Sequence, residues 1–141
     1  MEIRQITPKY HVSPQISAED VPALKEAGIT TVICNRPDGE VGPSHQAAAI
    51  EAAVTAAGLQ FKALPLTHQT MTPENIARHA GFVDGAEGLV LAYCASGTRS
   101  SVVWALGQAD KQDADTILHA VSAAGYDLEG LRPTLENLSK R

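Results

Sequence analysis

Two hydrophobic patterns alternate along the 141 residues: short β-branched apolar runs, and longer Ala-rich stretches with helical spacing. Residues 10–13 (Tyr-His-Val-Ser) read as a short strand that can pair with residues 2–6. Ser17 then caps a helix. Glu19 and Asp20 place acids in its first turn, Val21, Leu24 and Ala27 follow at helical spacing, and Gly28 stands where a left-handed cap is expected. Thr30 to Cys34 has the composition of a buried strand, and Asn35-Arg36-Pro37-Asp38-Gly39 that of a turn. A second helix is predicted over Ser44 to Ala57, closed by Gly58, and a third strand over Phe61 to Leu66.

Thr72-Pro73-Glu74 opens another helix, with threonine as cap and proline at the first helical position. Gly88 to Tyr93 is a fourth apolar strand, and a helix begins around Thr98-Arg99-Ser100. Helical patterns then cover about Asp113 to Ala124, stopping at Gly125, and about Asp127 to Ser139, where Pro133 either delays the helix or kinks it. Repeated strand–helix units predict an α/β fold of three layers, a mostly parallel sheet of four to five strands flanked by helices, in one unit over residues 1–141.

Composition narrows the function classes. Hydrophobic residues make up 44% of the chain, charged residues 19% and aromatics 4%, so the core rests on Ala, Val, Leu and Ile. A net charge of -5 gives no electrostatic footprint for nucleic acid or an anionic membrane. No apolar run approaches the roughly 20 residues that span a bilayer. Met1 to Gln5 lacks the basic-then-apolar pattern of a secretory signal. The two cysteines, Cys34 and Cys94, form no disulfide framework, and a reduced, cytoplasmic setting is expected.

The chemistry concentrates in Leu89-Val90-Leu91-Ala92-Tyr93-Cys94-Ala95-Ser96-Gly97-Thr98-Arg99-Ser100-Ser101. A buried strand ends at a cysteine, a loop of small residues follows, and a helix starts at once. Ligands of α/β sheets bind outside the carboxyl ends of the strands, which is where Cys94 must sit. Backbone N–H groups of Ala95, Ser96, Gly97, Thr98 and Ser100, together with the helix N-terminus, form an anion cradle. That positive field favours a thiolate, the reactive form of cysteine. Arg99 can fold its planar fork over the cradle to grip two oxygens of a tetrahedral anion. Gly97 admits a backbone conformation that a side chain would block. Ser100 or Ser101 can donate a hydrogen bond to the sulfur. A free cysteine at a strand end is often only a small buried hydrophobe, but this surrounding pattern has few structural uses.

Tyr93 to Ser100 resembles the active-site loop of rhodanese-type sulfurtransferases, in which a cysteine carries a sulfane sulfur as a persulfide. The rest of the chain resembles a different group. Gln15 to Asp20, Gly28 to Glu40, Ala124-Gly125-Tyr126-Asp127-Leu128 and Leu131-Arg132-Pro133 are similar to the phosphatase-like domain of beta-lactamase-hydrolase-like proteins. That group is related to dual-specificity phosphatases and is sometimes fused to, or encoded beside, sulfide-oxidising enzymes. The resemblance implies a dual-specificity-phosphatase-like fold with Cys94 as nucleophile and Arg99 as anion ligand.

Two departures bear on activity. Cysteine phosphatases place five residues between nucleophile and arginine, whereas four separate Cys94 from Arg99. Such phosphatases also carry an aspartic general acid on the loop after the third strand, and Pro65-Leu66-Thr67-His68-Gln69-Thr70-Met71-Thr72 contains no acid. Sulfur transfer needs neither feature. The first expectation is therefore a sulfurtransferase with a Cys94 persulfide, taking sulfur from thiosulfate or a persulfide and passing it to a thiol acceptor. The alternatives are a phosphatase acting on a phosphate ester through a phosphocysteine, and a non-catalytic module that binds a phosphorylated or anionic partner.

Accessory positions have competing readings. His68 either serves the cradle, as proton donor or anion attractor, or is an exposed loop histidine; Thr67 and Thr70 are possible donors beside it. Arg36 either adds positive charge at the site or pairs with Asp38 or Glu40. Cys34 is an inert buried thiol or a sulfur relay. His11, His45, His79 and His119 lack metal-ligand spacing, with His45 and His79 read as surface residues and Trp104 as core packing. No nucleotide or flavin motif is present, so no cofactor is called for.

Overall fold

The structure is a computed structural model, and it describes residues 2–139. Its centre is a five-stranded sheet: β1 (Arg4–Gln5), β2 (Tyr10–Ser13), β3 (Ile29–Cys34), β4 (Gln60–Ala63) and β5 (Leu89–Tyr93), in the order β1-β2-β5-β3-β4. β1 runs antiparallel to β2 with Arg4 opposite Val12, and every other pair is parallel. Six α-helices accompany it among the described residues: α1 (Val21–Glu26), α2 (Ala47–Ala56), α3 (Pro73–Gly85), α4 (Thr98–Gln108), α5 (Ala114–Ala123) and α6 (Arg132–Ser139).

Strand pleating divides the core. On β5, Leu91 and Tyr93 face one layer with Val21 and Leu24 of α1 and Ile50 and Val54 of α2. Val90 and Ala92 face the other, with Trp104 and Ala105 of α4, Ile117 and Val121 of α5 and Leu135 of α6. Both faces of the central strands are thus buried, which explains their continuous rather than alternating hydrophobicity. A side chain as fully buried as Leu91 contributes about 1.5–3 kcal/mol. Among the described residues no helix is long and apolar enough to cross a membrane.

Four boundaries differ from the sequence expectation by about three residues or more. Ser17 caps a 3-10 turn at Ala18–Asp20, where the Asp20 carboxylate accepts from the Ser17 amide at 2.9 Å, and α1 follows it. α2 starts at Ala47 rather than Ser44: Pro43–His45 form a 3-10 turn, and the Asp38 carboxylate accepts from the Ala47 amide at 2.8 Å. β4 covers Gln60–Ala63 rather than Phe61 to Leu66, because Leu64 and Leu66 bond to the carbonyls of Cys34 and Asn35, beyond the end of the ladder with β3. Pro133 sits in the first turn of α6, so it delays that helix to Arg132 instead of kinking it.

Candidate active site

The four parallel strands end at one edge of the sheet, and their following loops converge there. β5 lies between β2 and β3, so the loop after it is flanked on both sides. The Gln15 amide donates to the Ala95 carbonyl at 3.3 Å from the β2 side, and the Asn35 amide to the Tyr93 carbonyl at 2.8 Å from the β3 side. Cys94 is 1% exposed, and its sulfur accepts from the Gly97 amide at 3.1 Å. The loop therefore curls around the sulfur and runs straight into α4, whose first-turn N–H groups lack intrahelical partners, although the Thr98 amide donates to Ser96 Oγ at 3.3 Å and not into the cradle expected of it.

Gly97 has φ +94. A Cβ there would collide with the Tyr126 hydroxyl, which donates to the Ser96 carbonyl at 3.0 Å. Arg4 lies over the Tyr126 ring, 5.6 Å from its centroid, and donates to the Ala124 carbonyl at 2.9 Å. Tyr126, itself covered by Arg4, thus ties the loop from outside.

Ser100 and Ser101 do not reach the sulfur. The Ser101 hydroxyl donates to the Gly97 carbonyl at 2.8 Å, tying the loop to the helix. The Ser100 hydroxyl donates to Asn35 Oδ1 at 2.8 Å and belongs to a buried polar chain beneath the loop. The Tyr10 hydroxyl donates to the Ser100 carbonyl at 2.8 Å and so accepts from His79 Nε2, also at 2.8 Å. His79 Nδ1 is left to accept from Asn35 Nδ2 at 3.5 Å, and the same amide donates to the Leu64 carbonyl at 3.0 Å. His79 is 1% exposed, not a surface residue, and burial lowers its pKa from 6.5 to about 4. Burial also raises the Tyr10 phenol well above its ordinary value, with the Cys94 charge adding to the effect. Every group in this chain has a defined role as donor or acceptor, which fixes the start of α4.

The guanidinium of Arg99 lies at the rim. It forms a two-pronged pair with Glu40, Nη1 to Oε2 at 2.8 Å and Nη2 to Oε1 at 2.7 Å, and Nη1 also donates to the Leu66 carbonyl at 2.9 Å. Leu66 is fully buried with Leu64 and Val103, which anchors that carbonyl. Arg36 meets Glu40 Oε1 at 3.3 Å and Gln15 Oε1 at 3.3 Å, so it both lies at the site edge and pairs with Glu40. Asp38 caps α2 instead of meeting Arg36.

His68 is exposed on the turn after Leu66, and that turn is held by reciprocal bonds between Thr67 and Thr70 rather than by the cradle. Cys34 is 2% exposed, its thiol donates to the Arg36 carbonyl at 3.4 Å, and burial pushes its pKa up. Trp104 packs in the core, stacked 6.0 Å from Tyr10.

A family profile, the phosphatase-like domain of beta-lactamase hydrolase-like proteins, matches residues 2–111. The chain belongs to that family. A beta-lactamase hydrolase-like protein of Agrobacterium fabrum is 30% identical over 109 residues, 77% of this chain. The match covers 25% of that relative's length. Among solved structures, a protein of Neisseria meningitidis described as a candidate phosphatase superposes with a TM-score of 0.86 at 33% identity, covering 98% of this chain and 99% of its own. Tk-PTP in its active form superposes with a TM-score of 0.76 at 15% identity, covering 99% and 97%, a likeness of fold alone. The phosphatase-like α/β fold expected from the resemblance is therefore the fold observed.

Proposed function

We propose that this chain is a cysteine-dependent phosphatase, the alternative rather than the first expectation from sequence. The observation that carries the reading is the enclosure of the Cys94 sulfur at the N-terminus of α4, with the Gly97 amide aimed at it and Arg99 at the rim, in a phosphatase-like family. In this reading the Cys94 thiolate attacks phosphorus and the ester oxygen leaves with its electron pair. The loop amides and Arg99 stabilise the equatorial oxygens, and water then cleaves the phosphocysteine to release inorganic phosphate. Steady-state hydrolysis of an aryl phosphate tests it. Cys94→Ser should abolish turnover and Arg99→Lys should lower it about 100-fold or more, the scale of one lost oxyanion ligand. Undiminished turnover in Cys94→Ser removes the reading.

One observation favours sulfur transfer as a second reading: the short Cys94-to-Arg99 loop beside a 65–72 segment without a carboxylic acid. There the Cys94 thiolate would attack the outer sulfur of thiosulfate, sulfite would leave with the bonding electrons, and a thiol would take the persulfide sulfur. Intact mass after thiosulfate distinguishes the two, because only this second route adds one sulfur to wild type and none to Cys94→Ser.

A further inference from the structure

Arg99 has five N–H groups, arranged along two usable edges of a planar fork. The terminal edge, Nη1 with Nη2, is filled by both oxygens of Glu40, and the remaining Nη1 hydrogen by the Leu66 carbonyl. This leaves the side edge, Nε–H with the second Nη2–H. Glu40 is held in turn: Arg36 donates to its Oε1 at 3.3 Å and to its backbone carbonyl at 3.4 Å. Arg36 is anchored to Gln15, whose amide is bonded to the Cys94 loop. The chain Gln15–Arg36–Glu40–Arg99 thus begins and ends at the same loop.

We propose that Glu40 is a positioning residue that grips Arg99 by its terminal edge, so that the side edge faces an anion held over Cys94. The proposal rests on the reading of Cys94 as nucleophile and Arg99 as anion ligand. Glu40 is not the missing proton donor. Both its oxygens already accept from guanidinium groups, and hydrogen bonds from Arg99, then from Arg36, hold its carboxyl below the usual range. The pairing with Glu40 first, and the Cys94 sulfur after it, likewise favour the charged guanidinium. Without Glu40 a long, flexible arginine must be ordered by the substrate itself, at the expense of binding.

The test uses two reagents that differ in charge, iodoacetate and iodoacetamide, with the Cys94 adduct located by peptide mapping. The ratio of the two alkylation rates reads how well Arg99 presents to an anion at the sulfur, and the neutral reagent reports whether the loop is intact. Removing a carboxylate from the rim would, by charge alone, raise the iodoacetate preference. Positioning gives the opposite sign: in Glu40→Gln the preference should fall about tenfold with the iodoacetamide rate unchanged. In an Arg99→Ala background the preference is already lost, and Glu40→Gln should change it no further.

A rise in the preference, no change in it, or an equal effect with and without Arg99 overturns the proposal, as does a wild type with no preference. A fall in both rates together also overturns it, since that marks a merely structural role. Absence of phosphate release with the ratio behaving as expected would instead count against the phosphatase reading and leave the Glu40–Arg99 relation standing.

Discussion

Acidification should unlock the candidate site from beneath, through His79. Its Nε2–H donates to the Tyr10 hydroxyl, which itself donates to the Ser100 carbonyl, so Nδ1 carries the lone pair facing Asn35 Nδ2. Protonation would set two donors against each other inside the core, in addition to burying a charge. The pKa of about 4 against an ordinary 6.5 means that the unfolded chain binds the proton first. The stabilisation is therefore complete above pH 6.5 and is lost as pH falls towards 4. By linkage the loss is about 2 kcal/mol at pH 5 and about 3 kcal/mol at pH 4.

Urea unfolding of wild type and His79→Gln at steps from pH 7.5 to 4 measures this directly. Glutamine keeps polar atoms in the site but cannot titrate. The variant should be less stable at pH 7.5, and the gap between the two proteins should close on acidification. Two stability curves that stay parallel between pH 6.5 and 4.5 would refute the assignment of His79 as a buried neutral donor–acceptor. The wild type carries a functional reading as well, because Ser100 lies in the first turn of the helix that bears Arg99: alkylation of Cys94 should keep its discrimination for anionic reagents until the pH nears 4, where His79 of the folded protein takes up its proton.

Other outcomes follow from single contacts. Gly97→Ala places a Cβ against the Tyr126 hydroxyl at a positive φ; it should cost about 1–2 kcal/mol in chemical unfolding and suppress Cys94 alkylation, and adding Tyr126→Phe should recover part of both. Ser100→Ala leaves Asn35 Oδ1 buried without its donor and should lower stability by about 1–3 kcal/mol in the same assay. Thr72→Ala removes the oxygen that accepts from the Asn75 amide at the start of α3, with an expected loss of about 1 kcal/mol in urea titration.

Much of this fold was legible because its signals are local. Thr72-Pro73 and Asp113 mark the starts of α3 and α5 through caps that act within three residues, and both caps are formed. The β5 run and the Cys94-to-Arg99 loop could be read for the same reason. The limits of elements that depend on distant partners carry no such local signal. β4 ends where its ladder with β3 ends, and α2 waits for a cap from Asp38 nine positions away.

The site shows the same division. Cys94 and Gly97 meet at short range, whereas Glu40 joins Arg99 across 59 positions, and its only local signal was an (i, i+4) relation to Arg36. His79 looked superficial because the polar residues around it on α3 gave no hint of Tyr10 and Asn35, contributed by β2 and the loop after β3. Nothing near Ser100 in the sequence points to its partner, Asn35, which comes from that same loop, 65 positions away.

The most direct test of the central claim is to trap the covalent intermediate. Wild type mixed with an aryl phosphate and quenched in acid within the first turnover should carry one phosphoryl group, mapped by mass spectrometry to Cys94 and absent from Cys94→Ser. Phosphate release without an adduct on Cys94, or an adduct on another residue that persists in Cys94→Ser, would contradict the account.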